Sequence, residues 1–217
     1  MFIGHYAVAL AAKKQAPQVS LGMLVLATQL VDLLWPLFLL LGLEHVRIVP
    51  GITLVTPLDF YDYPITHSLV GAVLWSLVLG GFYYGVRKHG RAAMVVGLCV
   101  FSHWVLDLIM HRQDLPLAYG GGPYFGFGLW NSLPATLIIE FGLLIVGVVL
   151  YTRTTVAVDR VGMYAFWGFI AFIAVIYVAN VFGPPPPSEQ MIAVAGNASW
   201  LFVLWAYWVD KHRRTRV

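Results

Sequence analysis

Charge is what this chain has least of. Asp, Glu, Lys and Arg make up 11% of its 217 residues, against roughly 25% in soluble domains, and the mean hydropathy is +0.80. That balance excludes an ordinary soluble domain and defines an integral membrane protein. Cysteine is nearly missing too. The single Cys99 lies within an apolar run, so no disulfide framework can form within the chain, and a small packing role is expected for it. No basic segment precedes the first apolar one, because Lys13 and Lys14 follow it, so no cleavable signal is expected. Long linkers and convincing repeats are also lacking, and residues 1–217 read as one membrane domain. The net charge is only +3, and no nucleic-acid partner is expected.

What is present is a series of apolar runs. A bilayer core of about 30 Å needs about 20 helical residues. Residues 19–43, 67–86, 92–110, 133–151, 161–182 and 191–209 each meet or approach that length. Residues 1–12 are apolar but too short to cross. The expected fold is all-α: a polytopic helical bundle of about six spans plus a short N-terminal helix embedded in the membrane. Residues 44–66 and 111–131 are expected as loops, the second carrying Gly120-Gly121-Gly122-Pro123, and Thr66 or Ser68 as the N-cap of the span at His67. The sequon Asn197-Ala198-Ser199 falls inside a span and is discounted.

The basic residues set the orientation. Lys13/Lys14, the turn 87–91, Arg153/Arg160 and the tail 211–216 fall on one side in this layout, while the opposite loops hold only Arg47 and Arg112. The positive-inside rule places the basic side in the cytoplasm.

Within these spans lie groups that are costly in hydrocarbon. His103, Asp107 and His111 occur at i, i+4 and i+8 in Ser102–Asp114. Each step of four turns a helix by only about 40°, so the three share one face, roughly 6 Å apart. Two imidazoles and a carboxylate on one stripe are a metal-ligand pattern; the alternative is that His103 and Asp107 pair with each other or with backbone and only hold helices together. Counting 1.5 Å per residue from the basic ends puts Asp32 at roughly 20 Å, His103 at roughly 18 Å, Asp107 at roughly 24 Å and Glu140 at roughly 20 Å. His5 lies roughly 12 Å deep if the first helix exits at Lys13. His67 and His111 fall near the outer boundary. One cavity in the middle to outer half of the membrane accommodates them all. Glu140 reads as an orienter of a ligand, a general base or a structural partner. Asp59, Asp62, Arg112 and Asp114 lie in outer loops, where a solvated role is the ordinary one, and Asn131 and Asn180 are candidates for the cavity wall.

The order of short motifs resembles a family. Gly4-His5-x-x-x-Ala9, Asp32 in the first span, Thr66-His67-Ser68, and Ser102-His103-x-x-x-Asp107 look like the YdjM-like membrane-bound metal-dependent hydrolases, whose motifs are similar in part to zinc-dependent bacterial phospholipase C. The resemblance covers the first half, through Asp114. It implies His5, Asp32, His67, His103 and Asp107 as metal ligands, to which the helical stripe adds His111. Two departures stand out. The family's paired D-x-D-H is reduced to Asp32 followed by Leu33-Leu34-Trp35, and Asp62-Tyr63-Pro64-Ile65 replaces H-R-G-x before Thr66-His67-Ser68. The implied location is a bacterial-type cytoplasmic (inner) membrane, with the basic loops and C-terminus on the cytoplasmic face.

Histidine and carboxylate ligands suit a divalent metal, zinc first, with manganese or iron as alternatives. Such a metal lowers the pKa of bound water toward neutrality. Glu140 or Asp59 would take the proton and Arg112 would offset a phosphate charge. The expected function is a metal-dependent hydrolase acting on a phosphoester or related bond of a membrane lipid or lipid-linked substrate. Rival readings are a proton- or metal-coupled transporter or channel, a scaffold with a structural metal, and a haem protein with histidine axial ligands.

Overall fold

The computed structural model describes residues 1–216. Among these residues nine α-helices follow in order: α1 Ile3–Gln15, α2 Leu21–Leu40, α3 Pro64–His67, α4 Leu69–Arg87, α5 Gly90–Met110, α6 Leu133–Thr154, α7 Arg160–Phe182, α8 Glu189–Asn197 and α9 Trp200–Lys211. Helices α2, α4, α5, α6 and α7 are each long and apolar enough to cross a membrane, and α8 with α9 forms a sixth span over Glu189–Lys211. The chain is a multi-pass, all-α membrane bundle. Its outer faces carry exposed Leu74, Leu77, Leu98, Ile138, Ile145 and Leu204, a surface that lipid tolerates and water does not.

Local signals explain the boundaries. Ser20, Ser68, Asp159 and Ser188 each accept a backbone N–H three residues on, capping α2, α4, α7 and α8. Lys88 adopts a left-handed conformation (φ 52°) and closes the turn between α4 and α5. The sixth span is broken at Ala198-Ser199. There the backbone makes tight i→i−3 bonds, Ser199 N–H to the Gly196 carbonyl and Leu201 N–H to the Ala198 carbonyl, as in a 3₁₀ turn.

The short helix α1 is the core of the bundle, packed against α6, α2 and α5. Its closest neighbour is α6. A Cβ on Gly147 would lie 2.6 Å from the Ala7 carbonyl oxygen, so only glycine permits this approach. Small residues at such crossings are how membrane helices gain contact without a hydrophobic driving force. At the basic end, Lys13 Nζ donates to Asp210 Oδ1 (2.9 Å) and to the Val19 carbonyl (2.8 Å), tying α1 to α9. Strand β5 (Thr155–Ala157) pairs antiparallel with β6 (Arg213–Thr215) at the same end.

Three features depart from the sequence expectation. Both outer loops are hairpins: β1 (His45–Ile48) pairs with β2 (Leu58–Asp62), and β3 (Leu115–Ala118) with β4 (Gly121–Phe125). The Gly120–Pro123 stretch is therefore a hairpin turn and the start of a strand. His67 does not open a span. It ends the one-turn α3, and the chain is extended at Ser68 (ψ 156°) before α4 begins. Ser68 is the cap, while Thr66 is engaged elsewhere.

Candidate metal centre

Four elements deliver the site. The N-terminal turn of α1 brings His5, the middle of α2 brings Asp32, α3 brings His67, and the last two turns of α5 bring His103 and Asp107, with His111 just past the helix end. Asp107 is the hub. His103 Nε2 lies 3.1 Å from its Oδ2, with His67 Nε2 and His111 Nε2 each at 3.9 Å. On the other oxygen, Oδ1, stand His5 Nε2 at 3.2 Å and the Met1 amino group at 2.5 Å. Asp32 Oδ1 faces His67 Nε2 at 3.3 Å and His103 Nε2 at 3.6 Å. The rings of His5 and His103 are stacked, 3.6 Å between centroids.

The hydrogen-bond partners fix the histidine tautomers. His103 Nδ1 is 2.7 Å from the Thr28 carbonyl; a carbonyl only accepts, so Nδ1 carries the hydrogen. His111 Nδ1 donates to Asp114 Oδ1 at 2.9 Å. For His67 the link has one more step: Nδ1–H donates to Thr66 Oγ1 (2.7 Å), whose own O–H donates to Glu44 Oε2 (2.7 Å). In all three Nε2 is the nitrogen turned toward the cluster, 3.1–3.9 Å from Asp107 Oδ2. Metal-binding histidines are held in this way, by a carboxylate or carbonyl on the far nitrogen.

Several buried nitrogens in this cluster have no hydrogen-bond partner among the described residues: both ring nitrogens of His5, and His103 Nε2. A buried imidazole lone pair without a donor is costly. Two trios place one ligand atom each within 4.8 Å of one another, His5/His103/Asp107 and Asp32/His67/His103. The donor set, the anchored imidazole rings and the unsatisfied nitrogens fit a metal ion, and these buried groups are able to bind one. His111 lies outside both trios.

The three candidates for chemistry beyond the ligands stand as follows. Glu140 is buried and accepts the backbone N–H groups of Phe2 and Gly4, both at 2.8 Å, so it caps the N-terminus of α1 inside the bundle and sets the height of His5. Asp59 does not reach the cluster; it pairs with Arg112. Arg112 in turn lies between Asp59 and Asp114, the latter at 3.2 Å, so two carboxylates already offset its charge. The most accessible carboxylate among the clustered groups is Asp32, whose side chain is 31% exposed on a cavity of about 650 Å³.

Sequence reasoning missed Glu44. Its carboxylate lies beyond the end of α2 and is 0% exposed, accepting from Ile65 N, Thr66 N and Thr66 Oγ1 at 2.7–2.8 Å. Burial pushes this carboxyl above its ordinary pKa, with the three donors pulling it back. A carboxylate 21 residues before the backbone N–H it caps leaves no local motif.

No family model, curated protein or solved structure matches the chain. Fold and site together define its class, a multi-pass membrane protein with a buried histidine–aspartate cluster able to bind a metal ion.

Proposed function

We propose that this protein is a membrane-embedded, metal-dependent hydrolase of a phosphoester or related bond in a lipid-like substrate, akin to the YdjM-like family. The observation that carries the reading is the convergence of three Nε2 atoms on Asp107, 3.1–3.9 Å from its Oδ2, each ring held by a separate Nδ1 partner. A structural ion pair needs no such agreement. Imidazole and carboxylate donors favour zinc, with manganese or iron behind it; the only cysteine, Cys99, sits in the apolar core.

His5, Asp32, His67, His103 and Asp107 would hold the ion, with His111 beside them. A divalent metal with an open position supplies hydroxide at neutral pH. Asp32, reachable from the cavity, would offer the carboxylate oxygen not engaged by the ion to the proton of the attacking water. The same carboxyl would return that proton to the leaving alcohol oxygen as the phosphorus–oxygen bond breaks. Glu140 holds α1 and so positions His5. Arg112 and Asp59 stabilise the outer loops and take no part in the chemistry.

The positive-inside pattern supports a basic face in the cytoplasm and a site in the outer half of a bacterial-type inner membrane. A conduit is less well supported. Between the cluster and the basic end lie the buried apolar residues Leu10, Leu24, Val25, Val96 and Val100, each at most 1% exposed.

The test is metal content by mass spectrometry of the detergent-purified chain beside a His103→Ala/Asp107→Ala variant. Near-stoichiometric zinc, manganese or iron in the wild type, absent from the variant, is the expected result. A wild type that stays metal-free after loading overturns the proposal.

A further inference from the structure

The cavity beside the cluster has walls that neither the metal nor the hydrolytic step uses. Its volume of about 650 Å³ lies in the range of small-molecule pockets, roughly 300–1,000 Å³. His67, Asp107 and Glu140 line its polar end. The rest is largely apolar, including Ile176, Ile192 and Phe202.

Three residues that line this space carry buried hydrogen-bond donors without partners among the described residues. The donors are Gln29 Nε2 and Trp35 Nε1 on α2, and the Tyr177 hydroxyl on α7. All three side chains belong to residues at most 9% exposed. Gln29, Asp32 and Trp35 follow at i, i+3 and i+6, so one stripe of α2 presents two donors on either side of the accessible carboxylate. Buried donors of this kind call for acceptor oxygens in whatever fills the cavity.

The cavity also reaches the lipid-facing side of the bundle. Helix α9 packs on both α2 and α7, whereas α8 packs mainly on α2. Gly196 permits that approach, since a Cβ there would lie 2.6 Å from Pro36 Cγ. On the side left between α7 and α8, Ala179 and Ala195 both line the cavity and are both exposed.

From these observations we infer that the cavity is a lateral lipid site: a phosphoester-bearing membrane lipid enters between α7 and α8, its linkage oxygens bound by Gln29, Trp35 and Tyr177, its acyl chain leaving past Ala179 and Ala195 into the bilayer. The inference rests on the hydrolase reading for the fate of that lipid, but not for its binding. Oxygen acceptors satisfy the three donors, the phosphate meets the metal end, and the apolar walls take the proximal chain. A soluble phosphate ester would satisfy the donors and leave the apolar half and the side opening without a purpose.

The test uses the full chain in nanodiscs containing a phosphatidic acid with a photoreactive diazirine at the chain end. After illumination the labelled peptides are mapped, and metal content is measured on the same samples. Labelling is expected on the facing segments of α7 and α8 around Ala179 and Ala195. Ala195→Trp, on an exposed face, is expected to lower it at least fivefold with metal content unchanged. Trp35→Phe, which removes only the N–H, is expected to weaken competition by unlabelled phosphatidic acid several-fold. Labelling confined to outward positions such as Leu201 and Leu204, alike in wild type and Ala195→Trp, overturns the inference. So does competition by glycerol 3-phosphate that matches phosphatidic acid, since the chain then has no part in binding. Labelling of the cavity in a protein that never binds metal keeps the lipid site and removes the hydrolase; bound metal with no cavity labelling does the reverse.

Discussion

Thr66→Val isolates the relay that orients His67. The substitution keeps the β-branched shape and removes only the hydroxyl that stands between His67 Nδ1 and Glu44 Oε2, 2.7 Å from each. Glu44 keeps its two backbone donors, Ile65 N and Thr66 N, so α3 stays anchored. His67 loses the acceptor that holds its hydrogen on Nδ1. Loss of such an outer partner typically lowers metal affinity about 10–100-fold, or roughly 1.4–2.7 kcal/mol. One buried donor and one acceptor left unpaired cost roughly 1–3 kcal/mol of stability as well. Glu44→Gln acts by another route. If the amide oxygen takes the two backbone N–H groups, its NH₂ faces the Thr66 hydroxyl, whose hydrogen then turns to His67 Nδ1. The imidazole hydrogen moves to Nε2 and the ligand lone pair is withdrawn, so a loss of similar size is expected. Zinc affinity is read by competition with a chromophoric chelator, and the metal-free proteins are melted in parallel. Thr66→Ser restores the hydroxyl and should recover most of the affinity. A Thr66→Val protein that binds zinc within twofold of wild type refutes the relay.

Other outcomes follow from the same geometry. Gly147→Ala drives a methyl into the Ala7 carbonyl at 2.6 Å and should cost about 1–3 kcal/mol by overpacking; an unchanged melting midpoint would contradict the described α1–α6 contact. Lys13→Met leaves Asp210 without its buried cation. Removing one partner of a buried pair costs roughly 3–5 kcal/mol, and with Asp210 22% exposed the loss should be nearer about 2–3 kcal/mol once solvent screening is allowed for. Adding Asp210→Leu should recover part of it, and no recovery in the melting midpoint would argue against pairing. The raised pKa of Glu44 has a definite sign. Its contribution is complete below the unfolded carboxyl value and is lost as pH rises through the folded one. The midpoint of the metal-free wild type should therefore fall across that window, and Glu44→Gln should flatten the decline; parallel profiles would place the titration elsewhere.

These residues also show which features a sequence betrays and which it hides. Six spans and a half-length first helix follow from apolar length alone, because a bilayer leaves few other options for such runs. His103, Asp107 and His111 could be placed on one face because α5 is regular up to Met110. His5 and Asp32 were legible for a related reason: an ionisable group inside a span has no water as a default partner, so depth by itself says that it meets another such group. Loop residues carry no such constraint. Asp59 and Glu44 both lie in outer connections rich in proline and glycine, and both read equally well as solvated. In the structure Asp59 turns to Arg112, while Glu44 is sealed under α3 and governs a candidate ligand. The hairpins escaped for a similar reason, being strands of four or five residues in segments whose composition favours turns. Glu140 shows the remaining gap. Its depth marked it as important, but its partners are the Phe2 and Gly4 amides, 138 and 136 residues away in sequence. A helix N-terminus buried in a membrane needs an acceptor for its free N–H groups as much as a metal site needs ligands. Once α1 is seen to begin inside the bundle, a carboxylate at its tip is required, and Glu140 meets that need by setting His5 at the height of Asp107.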